Sequence, residues 1–454
     1  MDFISSRGEA GPSGFREVIR RGLAPDRGLY LPRELPDLSP YLESWSGLDY
    51  GRLCSAFFRH FATDFEPANL DSLVEEAYSG FEDPGSVPLR QIGSDLYVLE
   101  LFTGPTLAFK DYALQLLGRF YAEQIRESGR PINVLGATSG DTGAAAISGL
   151  AGVEGAHTFI LYPQGKVSPL QERQMTCTGS PGVFPLAIEG SFDDAQRELK
   201  ALFGDREQKE KLSLSAVNSI NLARILAQCV YYLYAWLHLP KTIREEMEVV
   251  VPTGNFGNVF AGWILGRMGV PLRRFRVATN QNDILFHLFQ KGCYEVGAVK
   301  PSLAPSMDIQ VASNFERLLY YFCGEDPEKV CSIMDEIRES GRYDFGDLGE
   351  FGFRASRTTD EEILALLDAV YRRYGYLCDP HTATAFKDLD PERPSLILAT
   401  AHPAKFPETC EKACGVHPRH PSLEALKKRE PRYYPILPDA AHIASFIAEH
   451  PASL

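Results

Sequence analysis

The stretch EVVVPTGNFGNVFAGWILG, residues 248–266, joins an apolar run to a glycine-rich turn and a second apolar segment. Val249–Val251 predict a strand, TGNFGN predicts the loop that follows it, and a helix is expected from Val259 onward. Glycines let the backbone approach an anion closely, and the free N–H groups at the start of a helix donate to that anion. The stretch therefore predicts a strand that leads into an anion-binding turn.

A second turn of the same kind lies in NVLGATSGDTGAAAISGL, residues 133–150. A strand is expected to end at Leu135, and a helix is expected to begin among residues 144–146. Polar side chains at such a helix entrance act either as helix caps or as ligands, and the sequence leaves both interpretations open. The polar side chains at this entrance are Thr138, Ser139, Asp141 and Thr142.

Neither turn carries the fingerprint of a common nucleotide-binding loop. A P-loop requires GxxxxGK[ST] and a dinucleotide-binding turn requires GxGxxG, and neither turn has either spacing. A triphosphate or a dinucleotide is therefore disfavoured. A smaller phosphate, such as that of pyridoxal phosphate, requires one loop of backbone donors and fits the pattern.

Short apolar runs alternate with amphipathic helical segments beyond residue 95, which predicts an α/β fold with parallel sheets flanked by helices. The runs form two clusters separated near residues 200–245, so we expect two α/β lobes with a ligand-binding cleft between them. The expected units are a mainly helical N-terminal region at 1–95, a smaller lobe at 96–205 and a larger lobe at 206–454. The apolar runs are LYVLEL, PINVLGA, HTFILYP, GVFPLAI, EVVVPTG, RFRVATN and SLILATA.

A lysine occupies an unusual place in GPTLAFKDYALQLLGRFYAEQI, residues 104–125. Lys110 points near the middle of the apolar face of the helix that this stretch predicts. In one interpretation its stem packs on the face while its ammonium reaches water. In the other its amine is kept easily deprotonated because it forms a Schiff base. A Schiff-base lysine and a compact phosphate loop together would suit pyridoxal phosphate.

Composition excludes several classes of protein. The formal net charge of −14 is opposite in sign to the basic surface of a nucleic-acid binder. No apolar run approaches the ~18 residues of a membrane span, and the first residues carry no signal-peptide pattern. The nine cysteines are scattered without a CxxC pair, which favours a reducing cytoplasm and predicts no metal site. We expect a small-molecule substrate and a monomer or homodimer.

Seven segments, taken in chain order, resemble the threonine synthase family of fold type II pyridoxal-phosphate enzymes. The opening, FISSRGEAG followed by GLAPDRGLYLP, is also similar to that family's N-terminal segment, so the resemblance covers nearly the whole chain. It is to the longer, N-terminally extended form found in enteric bacteria and fungi. The segments are GPTLAFKD, ATSGDTGAAA, VNSINLARI, PTGNFGN, SMDIQVASNFERLL, DPHTATA and ATAHPAKF.

The resemblance implies a lyase of threonine biosynthesis that converts O-phospho-L-homoserine and water to L-threonine and phosphate. The reaction would run through a pyridoxal 5′-phosphate aldimine, with γ-elimination and β-addition of water. Lys110 matches the lysine that forms the aldimine and moves protons at the substrate's α- and β-carbons. Thr400 matches the hydroxyl that faces the pyridine nitrogen. The loop that cradles the cofactor phosphate is matched by Gly254, Asn255, Phe256, Gly257 and Asn258.

Two more groups match substrate-binding positions of the family. Thr138, Ser139 and Thr142, with Asp141 between them, match the loop that grips the substrate carboxylate. At the position of Asp141, other members of the superfamily carry an asparagine beside the cofactor ring oxygen. Asn218, Ser219 and Arg224 match the group of residues that binds the substrate's phosphate. An arginine fork suits a phosphate better than a lysine, and in an acidic protein it supplies a local donor.

Four other residues have both a catalytic and a structural interpretation. His381 and His402 are candidate acids or residues that order their turns by hydrogen bonding. Lys405 is either a second active-site cation or a surface residue. Arg317 lies at the start of a predicted helix, residues 314–317 onward, whose apolar stripe predicts core packing, and it is a candidate contact of the cleft.

Two other functions remain open. A related phospho-lyase would release a 2-oxo acid from the same substrate and would need the same anion site. A catalytically silent binding protein on the same scaffold would have no use for Lys110.

Overall fold

The computed structural model describes residues 1–217 and 219–453. Each of the seven strands predicted from the sequence is present in it. The strands of the described residues, in chain order, are β1 (Phe3–Ser5), β2 (Tyr30–Pro32), β3 (Leu89–Gln91), β4 (Leu96–Glu100), β5 (Ile132–Ala137), β6 (Ala156–Pro163), β7 (Val183–Ile188), β8 (Leu214–Ala216), β9 (Glu248–Pro252), β10 (Phe275–Thr279), β11 (Cys293–Glu295), β12 (Arg342–Asp344), β13 (Phe353–Arg357), β14 (Ser395–Ala399) and β15 (Tyr434–Ile436).

Helices occupy most of the connections between these strands. In chain order the helices of the described residues are α1 (Phe15–Arg21), α2 (Leu42–Trp45), α3 (Tyr50–Phe58), α4 (Pro67–Tyr78), α5 (Lys110–Ser128), α6 (Asp141–Leu150), α7 (Pro169–Thr176), α8 (Phe192–Gly204), α9 (Arg206–Lys211), α10 (Leu222–His238), α11 (Lys241–Arg244), α12 (Gly257–Arg267), α13 (Ile284–Lys291), α14 (Phe315–Phe322), α15 (Pro327–Ser340), α16 (Asp360–Tyr374), α17 (Pro380–Thr384), α18 (Pro407–Cys414), α19 (Pro421–Leu426) and α20 (Ala440–Glu449). None of these helices combines the length and the apolar composition that crossing a bilayer requires.

Two sheets form the centres of the two lobes. The six-stranded sheet has the order β13-β10-β9-β14-β4-β3 and is parallel except for β3, which pairs antiparallel with β4. The five-stranded sheet has the order β15-β7-β6-β5-β8 and is parallel throughout. Every residue of β9 is buried, as a central parallel strand covered on both faces requires. The predicted α/β fold class with two lobes is confirmed.

Each of the two sheets contains strands that lie outside the bounds expected for its lobe. β4 at residues 96–100 pairs with β14 in the six-stranded sheet, although the sequence placed it in the smaller lobe. β8 and β15 pair within the five-stranded sheet, although the sequence placed them in the larger lobe. Crossover connections let strands far apart in the chain become neighbours in one sheet. A division of the chain into domains at those bounds stays a prediction.

The N-terminal residues pack against the helices that approach the cleft. Phe15 in α1 meets Phe120 in α5 edge-on, with ring centroids 5.6 Å apart. Tyr50 in α3 meets Tyr112 in α5 in the same manner at 5.3 Å. Edge-to-face aromatic pairs at these distances are favourable, so this region helps to hold α5 in place.

Glycines bring α5 and α6 unusually close to each other. A Cβ at Gly118 in α5 would overlap the backbone carbonyl of Gly149 in α6, and a Cβ at Gly149 would overlap the carbonyl of Leu114. Since α5 begins at Lys110 and α6 begins at Asp141, this close packing fixes the separation of those two residues.

Candidate active site

A cleft of about 2350 Å³ lies at the carboxyl ends of the parallel strands and collects residues from both lobes. Asn218 lies outside the described residues. Lys405 and His402 do not line the cleft surface, although Lys405 lies directly behind it. The residues proposed from the sequence that line the cleft are Lys110, Thr138, Ser139, Asp141, Thr142, Ser219, Arg224, Gly254, Asn255, Phe256, Gly257, Asn258, His381 and Thr400.

Lys110 is held at the edge of the cleft by its neighbours in the chain. Ala108 forms an antiparallel bridge with Ala401, and the Phe109 amide donates to the carbonyl of Thr400 at 2.9 Å. These bonds place Lys110 beside Thr400, just beyond the carboxyl end of β14. The lysine side chain is 11% exposed. Burial lowers the pKa of Lys110 and the Lys405 and Arg224 cations lower it further, whereas Asp141 raises it.

Asp141 is the central anion of the site. Its Oδ1 accepts from Gln171 Nε2 at 2.8 Å and pairs with Lys405 Nζ at 2.8 Å. Its Oδ2 accepts from the Ser306 hydroxyl at 3.1 Å and lies 3.5 Å from Lys110 Nζ. Although burial raises the pKa of Asp141, the two lysines hold it well below its usual range.

Lys405 is therefore a buried cation of this site rather than a surface residue. Its side chain is 0% exposed, and its Nζ also donates to the Thr106 carbonyl at 2.8 Å. The sequence left its position open because it lies about 260 residues beyond Asp141 in the chain. The sequence assigned no role to Ser306 or Gln171. Ser306 begins the segment SMDIQVASNFERLL, but nothing in the sequence predicts its contact with Asp141, and an isolated glutamine carries no spacing signal.

The glycine-rich loop turns sharply between β9 and α12. Phe256 adopts a left-handed conformation with φ of 65°, which costs about 1–3 kcal/mol for a residue other than glycine. Its ring is buried and packs against Phe289, Phe315 and Phe353, which offsets that cost. The N–H groups of the first turn of α12 then face the cleft, where the helix dipole favours an anion.

Buried donors without partners lie beside this loop. Arg224 is 3% exposed, and its Nε and Nη1 have no hydrogen-bond partner among the described residues. The side-chain oxygen of Asn258 accepts from the hydroxyls of Tyr231 and Tyr232. Its side-chain nitrogen is buried and has no hydrogen-bond partner among the described residues. Burial lowers the pKa of Arg224 to about 10, so the group still carries its charge at neutral pH. A charged, unpaired guanidinium in a cleft is the arrangement of an anion site.

The run YYLYAW, residues 231–236, has a second use beyond core packing. Tyr231 and Tyr232 are buried in the core, and their hydroxyls also orient Asn258. A repeating aromatic pattern gives no sign of such a bond.

The segment around Ser219 is attached to the glycine-rich loop. The Ser219 hydroxyl lies 3.0 Å from the hydroxyl of Ser313, which donates to Asn255 Oδ1 at 3.1 Å. The Asn314 amide donates to the carbonyls of both Ser219 and Asn255, at 3.1 and 3.2 Å. The two segments that match anion-binding positions of the family therefore form one framework.

Arg317 supports that framework and does not line the cleft. It is 0% exposed and donates to the Tyr30 carbonyl at 3.1 Å and the Ile220 carbonyl at 2.5 Å. A third bond joins it to Asn314 Oδ1. The sequence suggested that Arg317 contacts the cleft, but its guanidinium is bonded to three protein acceptors instead. Arg317 is therefore a structural junction.

The polar turn before α6 divides its side chains between two roles. The Thr138 hydroxyl accepts from the amides of Gly140 and Gly143 at 3.0 and 2.9 Å, so it holds the turn that leads into α6, although Gly140 is the N-cap residue of that helix. Ser139 and Thr142 are half-buried and line the cleft.

His381 and Thr400 both line the cleft. His381 Nδ1 lies 2.6 Å from Asp379 Oδ2, and its Nε2 accepts from the Ser306 amide at 3.2 Å. The backbone amide of Thr400 donates to the Thr382 hydroxyl, which leaves the Thr400 side chain in the cleft. His381 therefore orders the segment that carries Ser306 and also faces the cleft.

His402 has a structural arrangement outside the cleft. Its Nδ1 accepts from the Ala404 amide at 3.1 Å, and its ring meets that of Phe102 edge-on. Burial lowers the pKa of His402 to about 4, so the ring is neutral over the physiological range.

Three sequence-family models match consecutive parts of the chain. A model described as a pyridoxal-phosphate dependent enzyme matches residues 85–325. A model described as the threonine synthase N terminus matches residues 2–78, and one described as threonine synthase, C-terminal, matches residues 381–447.

Known proteins match the chain over nearly its whole length. It is 42% identical to threonine synthase of Pseudomonas aeruginosa, over 99% of this chain and 98% of that relative. The crystal structure of PLP-bound threonine synthase from Brucella melitensis superposes with a TM-score of 0.94 and 41% identity, covering 100% of both chains. Threonine synthase from yeast superposes with a TM-score of 0.90 and 34% identity, covering 99% of this chain and 98% of that one.

The fold, the buried lysine and the anion-binding loop define a pyridoxal-phosphate dependent enzyme. Its cofactor is pyridoxal 5′-phosphate. Within that class, the chain belongs to the threonine synthase family.

Proposed function

We propose that this chain converts O-phospho-L-homoserine and water to L-threonine and phosphate, as a lyase of threonine biosynthesis. The observation that carries the proposal is the buried Arg224 guanidinium, which has two unpartnered nitrogens in the same cleft as Lys110. The backbone amides at the start of α12 can bind the cofactor phosphate. The separate, unpaired guanidinium of Arg224 therefore indicates a substrate that carries a phosphate of its own.

The described residues fit pyridoxal phosphate on the chemistry of their donors. The loop Gly254–Asn258 leads into the first-turn amides of α12, and the Asn258 amide nitrogen is buried without a partner. Lys110 supplies a buried primary amine in the same cleft. When bound, the cofactor would supply an electron sink that stabilises negative charge at the substrate's amino-bearing α-carbon. Lys110, the five loop residues and Thr400 would hold it, and the resemblance implies that the Thr400 hydroxyl would serve its ring nitrogen.

Lys110 also suits the proton transfers that the reaction requires. Burial lowers the pKa of its amine, so a larger fraction of the group is a base near neutral pH than for an exposed lysine. Its fixed place at the start of α5 holds that base next to the bound substrate, which removes the entropic cost of bringing the two together. We propose that this amine moves protons at the substrate's α- and β-carbons.

The remaining cleft residues bind the substrate's two anionic ends. Ser139 and Thr142, with Thr138 and Asp141 in the same turn, present hydroxyls and helix amides to the carboxylate. Ser219 and Arg224, together with Asn218 as implied by the resemblance, hold the phosphate. An arginine binds a phosphate through two parallel N–H donors, which orients the leaving group as well as neutralising it.

We further propose that the enzyme is a monomer or a homodimer and that it acts in the cytoplasm. All nine cysteines are free thiols in the described chain, which is the state that a reducing compartment maintains. Light scattering of the purified chain would measure its mass in solution.

Two measurements test the proposed reaction. Borohydride reduction of the loaded enzyme followed by peptide mapping should place the pyridoxyl label on Lys110. Incubation with O-phospho-L-homoserine should yield threonine and phosphate in equal amounts. Release of 2-oxobutyrate in place of threonine would assign the related phospho-lyase reaction instead, and a label on another residue would overturn the assignment of Lys110.

A matched pair of variants tests the role of Arg224. Arg224→Lys keeps the positive charge but loses the two-pronged donor, so we expect kcat/KM for O-phospho-L-homoserine to fall by about 10- to 100-fold, the cost of 1–3 kcal/mol in hydrogen bonding. Arg273→Lys is the control, because Arg273 is exposed and outside the cleft. Equal activity of the two variants would contradict the phosphate role of Arg224.

A further inference from the structure

Two lysines share a single carboxylate in the cleft. Lys405 Nζ lies 2.8 Å from one oxygen of Asp141, and Lys110 Nζ lies 3.5 Å from the other. The other partners of this carboxylate, Gln171 and Ser306, are neutral. The balance of charge around Asp141 is therefore set by the two ammonium groups. The His381 ring also faces Asp141, and its Nε2 accepts from the Ser306 amide.

The charged groups that face Lys110 come from three other segments. Asp141 begins α6, Arg224 lies in the first turn of α10, and Lys405 follows β14. Asp111, next to Lys110 in the chain, points away toward the Thr106 amide and hydroxyl, which it binds at 2.8 and 2.7 Å. Asp141 is thus the carboxylate that acts on the Lys110 amine.

Lys405 changes what Asp141 does to Lys110. A carboxylate close to a buried amine stabilises the ammonium form and so opposes nucleophilic attack by that amine. A second cation on the same carboxylate offsets this effect in two ways, since it draws on the same negative charge and repels Lys110 directly. The pKa of Lys110 is accordingly lowered first by burial, raised by Asp141 and lowered again by Lys405.

We propose that Lys405 is a positioning residue that balances the charge of Asp141 and thereby keeps the Lys110 amine free to react. Its Nζ also donates to the Thr106 carbonyl, which ties the segment before Lys110 to the same cation. This inference rests on the proposed role of Lys110 as the amine that carries the cofactor.

The test measures the basicity of Lys110 itself, in the intact chain stripped of cofactor. Trace acetylation with isotopically labelled acetic anhydride over a pH series, followed by peptide mass spectrometry, gives the midpoint at which the Lys110 amine deprotonates. Exposed Lys412 in the same sample serves as the internal reference. A midpoint reports basicity, whereas the rate alone would also report access to the cleft.

Lys405→Gln removes the cation but keeps a donor for Asp141 and Thr106. We expect the Lys110 midpoint to rise by about one pH unit, which makes labelling about tenfold slower at any pH below both midpoints. Asp141→Asn should move the midpoint in the opposite direction. Lys387→Gln is the matched control, because it removes a lysine from an ion pair with Glu362 outside the cleft, and its Lys110 midpoint should equal that of the wild type.

An unchanged Lys110 midpoint in folded Lys405→Gln would overturn the proposal and leave Lys405 with a purely structural role. If that variant does not fold, the double variant Asp141→Asn/Lys405→Gln can be used, because it removes the carboxylate together with its cation and leaves no unpaired buried charge. Its midpoint should lie above that of Asp141→Asn, and equal midpoints would overturn the proposal. Because the chain carries no cofactor in this test, the result is independent of the borohydride and product assays.

Discussion

Asp111 shows how strongly a single position can be perturbed next to a site. It is 0% exposed, and its carboxylate is bound by the amide and hydroxyl of Thr106. Burial raises the pKa of Asp111 to about 6, against the lowering effect of the Thr106 hydrogen bonds. A free aspartate titrates near pH 3.9, so the folded state of this residue holds its proton more tightly than the unfolded state.

The raised pKa of Asp111 predicts a stability change with a definite sign. Because the pKa is higher in the folded state, the stabilising contribution of its proton is complete below about pH 4 and is lost as the pH rises through 6. Two pH units correspond to roughly 3 kcal/mol of unfolding free energy. The urea midpoint of the wild type should therefore fall relative to that of Asp111→Asn between pH 4 and pH 7. Parallel pH profiles for the two proteins would contradict the prediction.

At the scale of elements, the separation of α5 and α6 decides the geometry of the site. The first residue of one helix is Lys110 and that of the other is Asp141, and Gly118 and Gly149 allow their backbones to touch. A small shift between these helices moves the amine relative to its carboxylate. Displacements of about 1 Å in a catalytic arrangement reduce rates by up to about 100-fold.

Gly118→Ala should therefore reduce both stability and activity. The added methyl group overlaps the Gly149 carbonyl, so we expect a loss of about 1–3 kcal/mol in unfolding free energy together with a lower kcat for threonine formation. Gly204→Ala at the end of α8 is the control, since nothing lies within 4 Å of its added methyl group. Thermal melts and steady-state kinetics on both variants make the comparison, and equal effects would argue against a special role for the α5–α6 contact.

At the scale of the whole molecule, Arg317 joins three distant parts of the chain. Its guanidinium binds the Tyr30 carbonyl from the N-terminal residues, the Ile220 carbonyl before α10, and Asn314 before α14. Asn314 in turn binds the carbonyls of Ser219 and Asn255. The N-terminal residues are thus coupled to both anion-binding segments through one side chain.

Arg317→Met should loosen the fold and weaken substrate binding together. Two buried carbonyls lose their donor, which should cost on the order of 2–5 kcal/mol in unfolding free energy, and KM for O-phospho-L-homoserine should rise several-fold. Arg357→Met is the control, because Arg357 is 48% exposed and its ion pair with Asp283 is worth at most about 1 kcal/mol. Urea unfolding and steady-state kinetics test both effects. A stable variant with an unchanged KM would contradict the proposed coupling.

Local sequence patterns predicted the elements of this fold well. The valine run before Pro252 is a buried parallel strand, and the turn after it leads into α12 as its glycines indicated. The glycines themselves serve packing, since a Cβ at Gly254 would lie 3.1 Å from the Met307 Cα. The sequence identified the position of the turn correctly because strand, turn and helix signals are all local.

Contacts between distant residues were not available from the sequence. Lys405 reaches Thr106 across 299 positions, and Ser306 reaches Asp141 across 165. No periodicity or spacing connects such pairs, because parallel strands joined by long crossovers bring them together only when the sheets form.

The sequence by itself determined the α/β class, the two glycine-rich turns and the order of segments that marks the threonine synthase family, since each depends on residues close together in the chain. The tertiary structure alone decided that Lys405 is a buried partner of Asp141, that Arg317 is a structural junction, and which strands belong to each sheet. Burial and charge pairing are properties of neighbours in space, so only the folded chain defines them.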